Sequence, residues 1–176
     1  MKAYLIKTLK IDDTRGYNAI LYDSSIASQL PSDFHIVQIN QAFSTKAHTF
    51  RGLHYQTDLH AQAKHCFCLS GSVFNVALNL STGEAFHEIL KPGMAMFIPR
   101  GYAHGYITLE DNVLFQWCVD NDFHKPSARI LHYSSVDGWP VEPETISEKD
   151  AAAEAWSADL FTAVSDCGHD GCRSGA

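Results

Sequence analysis

Apolar and polar residues alternate in short bursts along this chain, and each burst ends at Gly, Pro, Ser, Asn or Asp. His35-Ile-Val-Gln-Ile-Asn40 alternates and ends polar. Cys66-Phe-Cys-Leu69, then Ser70-Gly71, then Val73-Phe-Asn-Val-Ala-Leu-Asn-Leu80 read as a hairpin or tight meander. Ser81-Thr-Gly-Glu84 and Lys91-Pro-Gly93 are further turns, as is Asp13-Thr-Arg-Gly16 near the start. Strands are predicted over Phe86–Leu90, Met94–Ile98, Gly105–Leu109 and Val113–Val119. Many short strands set apart by turn residues indicate an all-β sandwich or barrel. From Ser147 the pattern changes. Ser147 to Trp156 reads as a short capped helix, with Ser147 and Asp150 in capping-box spacing. Residues 1–158 read as one domain and 159–176 as a flexible tail.

Composition narrows the partners. The chain has 176 residues, 45% of them hydrophobic, enough for one domain to bury a core. Its net charge of −7, from 13 Lys+Arg against 20 Asp+Glu, argues against broad nucleic-acid binding. No apolar run approaches the roughly 20 residues of a membrane helix, so no membrane partner is expected. The start, Met1 to Lys7, meets a charge too soon for a signal peptide. With five cysteines, an odd number, this points to a reducing cytoplasm. Cys66 and Cys68 share a strand face and read as small buried hydrophobes. Cys167, His169 and Cys172 offer three ligands in a Gly-rich tail, too few for a structural metal site.

Ten histidines exceed what composition explains. His35, His48, His87, His124 and His132 read as ordinary surface histidines. His60 and His65 flank the candidate site in sequence only, and His65 points away from Lys64 on its strand. The two that carry chemistry are His54 and His104. Gly93-Met-Ala-Met-Phe-Ile-Pro99-Arg-Gly101-Tyr-Ala-His104 resembles the second motif of the cupin jelly roll, so the predicted fold is a cupin barrel with a short C-terminal helix. Pro99 and Gly101 turn the chain and aim His104 into the barrel mouth. A metal-binding cupin supplies His-x-His as well. Here Arg51-Gly-Leu-His54-Tyr55-Gln56 has Gln at the second place, and Lys64 adds a competing cation. The sequence therefore predicts no metal and no cofactor.

Phe50 to Gln56, Gln38-Ile-Asn40, Gln62-Ala-Lys64, Gly71 to Asn79, Ile98 to Gly105, Gly138-Trp-Pro140 and Ile146 to Ala153 together resemble the dTDP-4-dehydrorhamnose 3,5-epimerase family, over roughly residues 10–155. The resemblance implies a nucleotide-linked 4-keto-6-deoxy sugar as substrate, in deoxysugar biosynthesis for cell-surface polysaccharide. A carbonyl at carbon 4 acidifies the hydrogens on carbons 3 and 5. A base removes one, an enolate forms, and a proton returns on the opposite face. The resemblance assigns the base to His54, its partner to Asp150 and the cation at the enolate oxygen to Lys64. Arg15 and Arg51 would meet the diphosphate. Gln38, Asn40, Gln56, Asn75, His104 and Trp117 would line the substrate site. A homodimer is implied, in which N-terminal strands exchange and Arg15 enters the neighbour's site.

The chain departs from the family pattern at three places. Trp117 stands where the family's acid is a Tyr, and an indole N–H does not give up its proton near neutral pH. Water, Cys66, or a tyrosine from elsewhere (Tyr55, Tyr102, Tyr106 or Tyr133) are the candidate replacements. Asn75 and Asn79 replace two carboxylates. Arg15-Gly-Tyr17-Asn-Ala-Ile20 lacks the family's base-stacking Phe and its Glu. Three functions stay open: an epimerase acting at one or both carbons, a nucleotide-sugar-binding cupin that has lost the acid, and a related sugar ketoisomerase.

Overall fold

The computed structural model describes residues 1–158. The predicted tail of residues 159–176, with Cys167, His169 and Cys172, lies outside the described residues. The short apolar bursts form strands. These are β1 (Tyr4–Ile6), β2 (Leu9–Asp13), β3 (Gly16–Ile20), β4 (Gln38–Ser44), β5 (Phe50–Gln56) and β6 (Lys64–Ser70). They continue as β7 (Val73–Asn79), β8 (Ala85–Leu90), β9 (Ala95–Ile98), β10 (Tyr102–Thr108), β11 (Val113–Val119) and β12 (Ala128–Ile130). Two short α-helices, α1 (Ser24–Ala27) and α2 (Glu148–Ala151), and 3-10 turns at Asp58–His60, Lys125–Ser127 and Tyr133–Ser135 accompany the strands. Two five-stranded antiparallel sheets face each other, in the orders β1-β9-β6-β11-β4 and β12-β5-β10-β7-β8, while β2 and β3 form a separate hairpin. This is the predicted all-β jelly roll.

Its core has three layers. Between the sheets, Cys66, Cys68 and Phe115 of one meet Val73, Ala77 and Tyr106 of the other. Outside the second sheet, Phe50, Leu53 and Phe74 pack against Trp139, Ile146 and Trp156 of the C-terminal segment. Outside the first, Phe67 and Phe97 pack against Ile26 of α1 and Phe34. Burial on both sheet faces explains why β7 reads as a nearly continuous apolar run.

The hairpin expected around Ser70-Gly71 is not one. β6 pairs with β9 and β11, whereas β7 pairs with β8 and β10 in the opposite sheet. Gly71, at φ +75°, carries the chain from one sheet to the other. The C-terminal helix is shorter than its sequence suggests. Ser147 Oγ accepts from the Asp150 N–H at 3.2 Å, but the helix stops at Ala151. The chain then extends so that Trp156 can pack beside Gly83 and donate to the Leu80 carbonyl at 3.0 Å.

One irregularity positions the site. β5 and β10 register as His54↔His104 and then Arg51↔Tyr106, so β5 carries one residue more than its partner. Residues three apart on a regular strand face opposite sides. The extra residue, at Gly52-Leu53, lets both Arg51 and His54 line the same cavity. The backbones approach so closely there that a Cβ on Gly52 would lie 2.4 Å from the Gly105 Cα.

Candidate active site

A cavity of about 570 Å³ opens between the two sheets. β4, β5, β6, β10, β11 and β12 line it, together with the segment entering α2. The geometry brings together His54, Asp150, Lys64, Arg51, Gln38, Asn40, Gln56, His104 and Trp117. His54 Nε2 lies 2.8 Å from Asp150 Oδ1, across 96 positions of sequence. Asp150 is buried in the first turn of α2, where Ser147 caps the backbone. Burial pushes its carboxyl pKa up, but the bond and charge of His54, with Ser147 and Lys149, more than offset that and leave it below the usual value. A carboxylate accepts only, so His54 Nε2 carries the hydrogen and the lone pair is on Nδ1.

Lys64 sits at the start of β6 and is 5% exposed. Burial lowers its pKa to about 8, against a smaller opposing effect of Cys66. His104 is the direct cross-strand partner of His54 on β10. Its Nε2 lies 2.9 Å from Asn75 Oδ1, and burial, then the charges of Lys64 and His54, hold its pKa well below the usual value.

Two of the expected substrate contacts lie elsewhere in this chain. Asn75 is fully buried on β7 behind His104, with its amide nitrogen 3.1 Å from Met96 Sδ, and it does not line the cavity. β7 lies beside β10 in the sheet, so the His104 ring covers it. Arg15 stands on the β2–β3 turn, its side chain 87% exposed and paired with Asp13 at 2.6 Å, away from the cavity of its own chain. Gln56 lines the cavity, but its amide is committed to the rim. Its Nε2 donates to the carbonyls of His60 (2.7 Å) and Asp122 (3.1 Å), and its Oε1 accepts from the His124 N–H (2.6 Å). The His60 and His124 rings stack above this clasp with centroids 3.6 Å apart.

On the wall contributed by the first sheet, Trp117 stands beside Asn40 on β4, and Gln38 donates to Asn40 Oδ1. Among the described residues the Trp117 indole N–H has no hydrogen-bond partner. The candidate replacement side chains are buried, outside the cavity or on the wall that bears His54. Cys66 is fully buried beneath His104, and burial pushes its pKa up to about 12. Tyr102 and Tyr133 do not line the cavity. Tyr106 does, but its hydroxyl is sealed from solvent and burial, the largest influence, raises its pKa. Tyr55 lines it on the β5 side, the wall that also bears His54.

Sequence reasoning passed over Arg129, Lys149 and Phe123, which also line the cavity. Lys149 adjoins Asp150, and Arg129 pairs with Tyr55 across β12 and β5. Only Lys149 carried a signal in the sequence, its place next to Asp150; Arg129 and Phe123 reach the cavity through long-range pairing and loop placement. With Arg51 and Lys64 they make a cationic pocket in a chain of net charge −7. Among the described residues no group of three or more His, Cys, Asp or Glu side chains converges as metal ligands would, and no helix is long and apolar enough to cross a membrane.

Residues 1–158 match the sequence pattern of the family described as dTDP-4-dehydrorhamnose 3,5-epimerase. The chain is 32% identical over 168 residues to the protein of that name from Salmonella typhimurium, covering 85% of this chain and 88% of the relative. It is 28% identical over 159 residues to the one from Sinorhizobium fredii, with coverage of 84% and 82%. Among solved structures, dTDP-4-dehydrorhamnose 3,5-epimerase from Elizabethkingia anophelis superposes with a TM-score of 0.76 at 32% identity, covering 88% of this chain and 91% of that one. The Legionella pneumophila enzyme RmlC, in complex with dTDP-4-keto-L-rhamnose, superposes with a TM-score of 0.78 at 28% identity and coverage of 90% and 91%.

Proposed function

The chain belongs to the dTDP-4-dehydrorhamnose 3,5-epimerase family, and we propose that it epimerises a nucleotide-linked 4-keto-6-deoxy sugar in this cavity by proton abstraction beside the carbonyl. The observation that carries this reading is the His54–Asp150 pair at 2.8 Å, in one cavity with the buried Lys64 ammonium. His54 Nδ1 removes the proton on the carbon next to the carbonyl. Asp150 stabilises the imidazolium that results. Lys64 faces the enolate oxygen, where a cation held in a dry site is worth far more than in water. Arg51, with Arg129 and Lys149, receives the diphosphate.

The return proton is the weak step. Trp117 holds the place of an acid and is not one, so water delivers that proton, at carbon 3, carbon 5 or both. The test is incubation with dTDP-, UDP-, GDP- and CDP-linked 4-keto-6-deoxy sugars in deuterated water, read by NMR. Deuterium at carbon 3 or 5 is expected, and its absence with every nucleotide would overturn the reading in favour of a binding protein.

A homodimer fits the surface. β4 is an edge strand with Val37, Ile39 and Phe43 more than half exposed nearby, and the β2–β3 hairpin exposes Leu9 and Ile11. Covering both by exchange of hairpins between two copies would hide these apolar faces and carry Arg15 into the partner's cavity. The unpaired Cys66, Cys68 and Cys118 among the described residues accord with a cytoplasmic enzyme of cell-surface polysaccharide synthesis.

A further inference from the structure

His54 and His104 each use Nε2 to hold a neighbour, Asp150 at 2.8 Å and Asn75 at 2.9 Å. The tautomer of His104 follows from a third residue. The amide nitrogen of Asn75 lies 3.1 Å from Met96 Sδ. A thioether accepts and has no hydrogen to give, so the NH₂ group faces Met96 and Oδ1 faces the ring. Oδ1 in turn only accepts, so His104 Nε2 carries the hydrogen and the lone pair falls on Nδ1. Cys66 Sγ, 3.8 Å from the same Nε2, adds a weak contact that does not compete with a bond 0.9 Å shorter.

Both imidazoles of the cavity thus keep the lone pair on Nδ1. What differs is the group behind them. A carboxylate stands behind His54, whereas the carboxamide behind His104 gives a protonated ring nothing extra. We propose that Asn75 is a positioning residue that holds His104 as a permanently neutral hydrogen-bond acceptor for a hydroxyl of the sugar, so that His54 alone of the two histidines takes up a proton. The identity of the occupant rests on the epimerase reading; the tautomer does not.

The surroundings act in the same sense. The groups facing His104 are Lys64 and Cys66 on β6, His54 on β5, Asn75 on β7 and Tyr106 on its own strand, and no carboxylate is among its bonded partners in the described residues. Burial, then the Lys64 ammonium, then His54 once it is protonated, disfavour charging it. A charged His104 would in turn repel the imidazolium that forms on His54. The near-isosteric carboxylate at position 75 would reverse this by placing an anion against Nε2.

The proposal is tested by side-chain NMR of the whole chain labelled with ¹⁵N-histidine, the His104 signals being assigned by their loss in His104→Asn. The native protein is expected to show a neutral Nε2–H ring at His104 from pH 8 to pH 5. Asn75→Asp is expected to raise its titration by about two pH units or more. In parallel, the acid limb of log kcat/KM against pH should have unit slope in the native enzyme, because His104 does not add a second proton there. In Asn75→Asp it should steepen towards a slope of two, with activity recovering at high pH. Should Asn75→Asp fail to fold, Met96→Leu removes the acceptor that orients the amide, and a mixture of His104 tautomers is expected. An Nδ1–H tautomer, titration of native His104 between pH 5 and 8, or a pure Nε2–H ring in Met96→Leu would each overturn the proposal. The tautomer is read without turnover, so failure of deuterium exchange would count against the epimerase reading alone.

Discussion

Lys64 donates from Nζ to the backbone carbonyl of His54 at 2.9 Å, so the cation and the proposed base of the cavity are tied through main chain rather than through a counter-ion. A neutral carbonyl fixes the ammonium in place without neutralising it. The charge stays available to a ligand in the cavity, and the fold bears the cost of burying it.

That cost gives the first prediction. The folded pKa of Lys64, about 8, lies below its value of 10.5 in the unfolded chain. The unfolded state therefore binds more protons between pH 8 and 10.5, and the contribution of Lys64 to stability falls as pH drops through that window. At pH 7 the penalty is on the order of 3 kcal/mol. Lys64→Met should lower kcat by about 10²–10³-fold and raise Tm by a few degrees. Paired kinetics and calorimetry would show a loss of activity with a gain in stability. A fall in both would mean that Lys64 serves the fold.

His54→Asn should lower the rate of deuterium exchange by about 10²–10⁴-fold, the usual worth of a general base, with little change in Tm because the His54 side chain is 41% exposed. Asp150→Asn should keep the geometry, remove the charge behind the base and cost at least about tenfold in kcat. Equal rates in all three proteins would exclude the pair from the proton transfer.

Trp117→Tyr places a phenol where the proposed mechanism returns the proton. It should increase the rate of product formation and favour inversion at both carbons, read as product stereochemistry by NMR. An unchanged product ratio would show that the wall opposite His54 does not limit the reaction.

His65 lies outside the catalytic cavity and is fully buried, with neither ring nitrogen hydrogen-bonded. Burial lowers its pKa from 6.5 to about 4. The unfolded state takes up the proton first, so stability is complete above pH 6.5 and is lost as pH falls towards 4. His104 pulls in the same direction. Melting curves between pH 7 and 4.5 should show Tm falling in the native protein and falling less in His65→Leu. Parallel curves would refute this.

Gly52→Ala should destabilise by about 1–3 kcal/mol, as forced overpacking does, and it should lose activity beyond that cost. Its Cβ would meet the Gly105 Cα at 2.4 Å and the His104 carbonyl at 2.9 Å, from a residue at φ +141°. Separating the strands there moves Arg51, His54 and His104 together. Normal kinetics in a folded variant would show that the close crossing is dispensable.

The strand pattern and the Gly93-to-His104 spacing made the jelly roll legible, because both rest on local alternation and turn chemistry. The β6–β7 connection was misread as a hairpin, because a run buried on both faces gives no clue to which neighbour it pairs with. His54 and Asp150 were identifiable only through resemblance, since 96 residues separate them. Asn75 was expected among the substrate contacts, yet its place behind His104 depends on the pairing of β7 with β10, a long-range register. The extra residue of β5 left a trace at Gly52, but a glycine signals permissive backbone and not the direction in which its neighbours will face.

The clasp built on Gln56 has a consequence for traffic through the cavity mouth. One side chain is bonded at once to the loop after β5 and the loop after β11, and Asn121 adds its own bond from the second loop to the Leu59 carbonyl of the first at 2.8 Å. Two loops sewn together in this way move as a single frame. The mouth of the cavity is thereby an aperture of nearly constant width, framed by both loops, rather than a flap that swings.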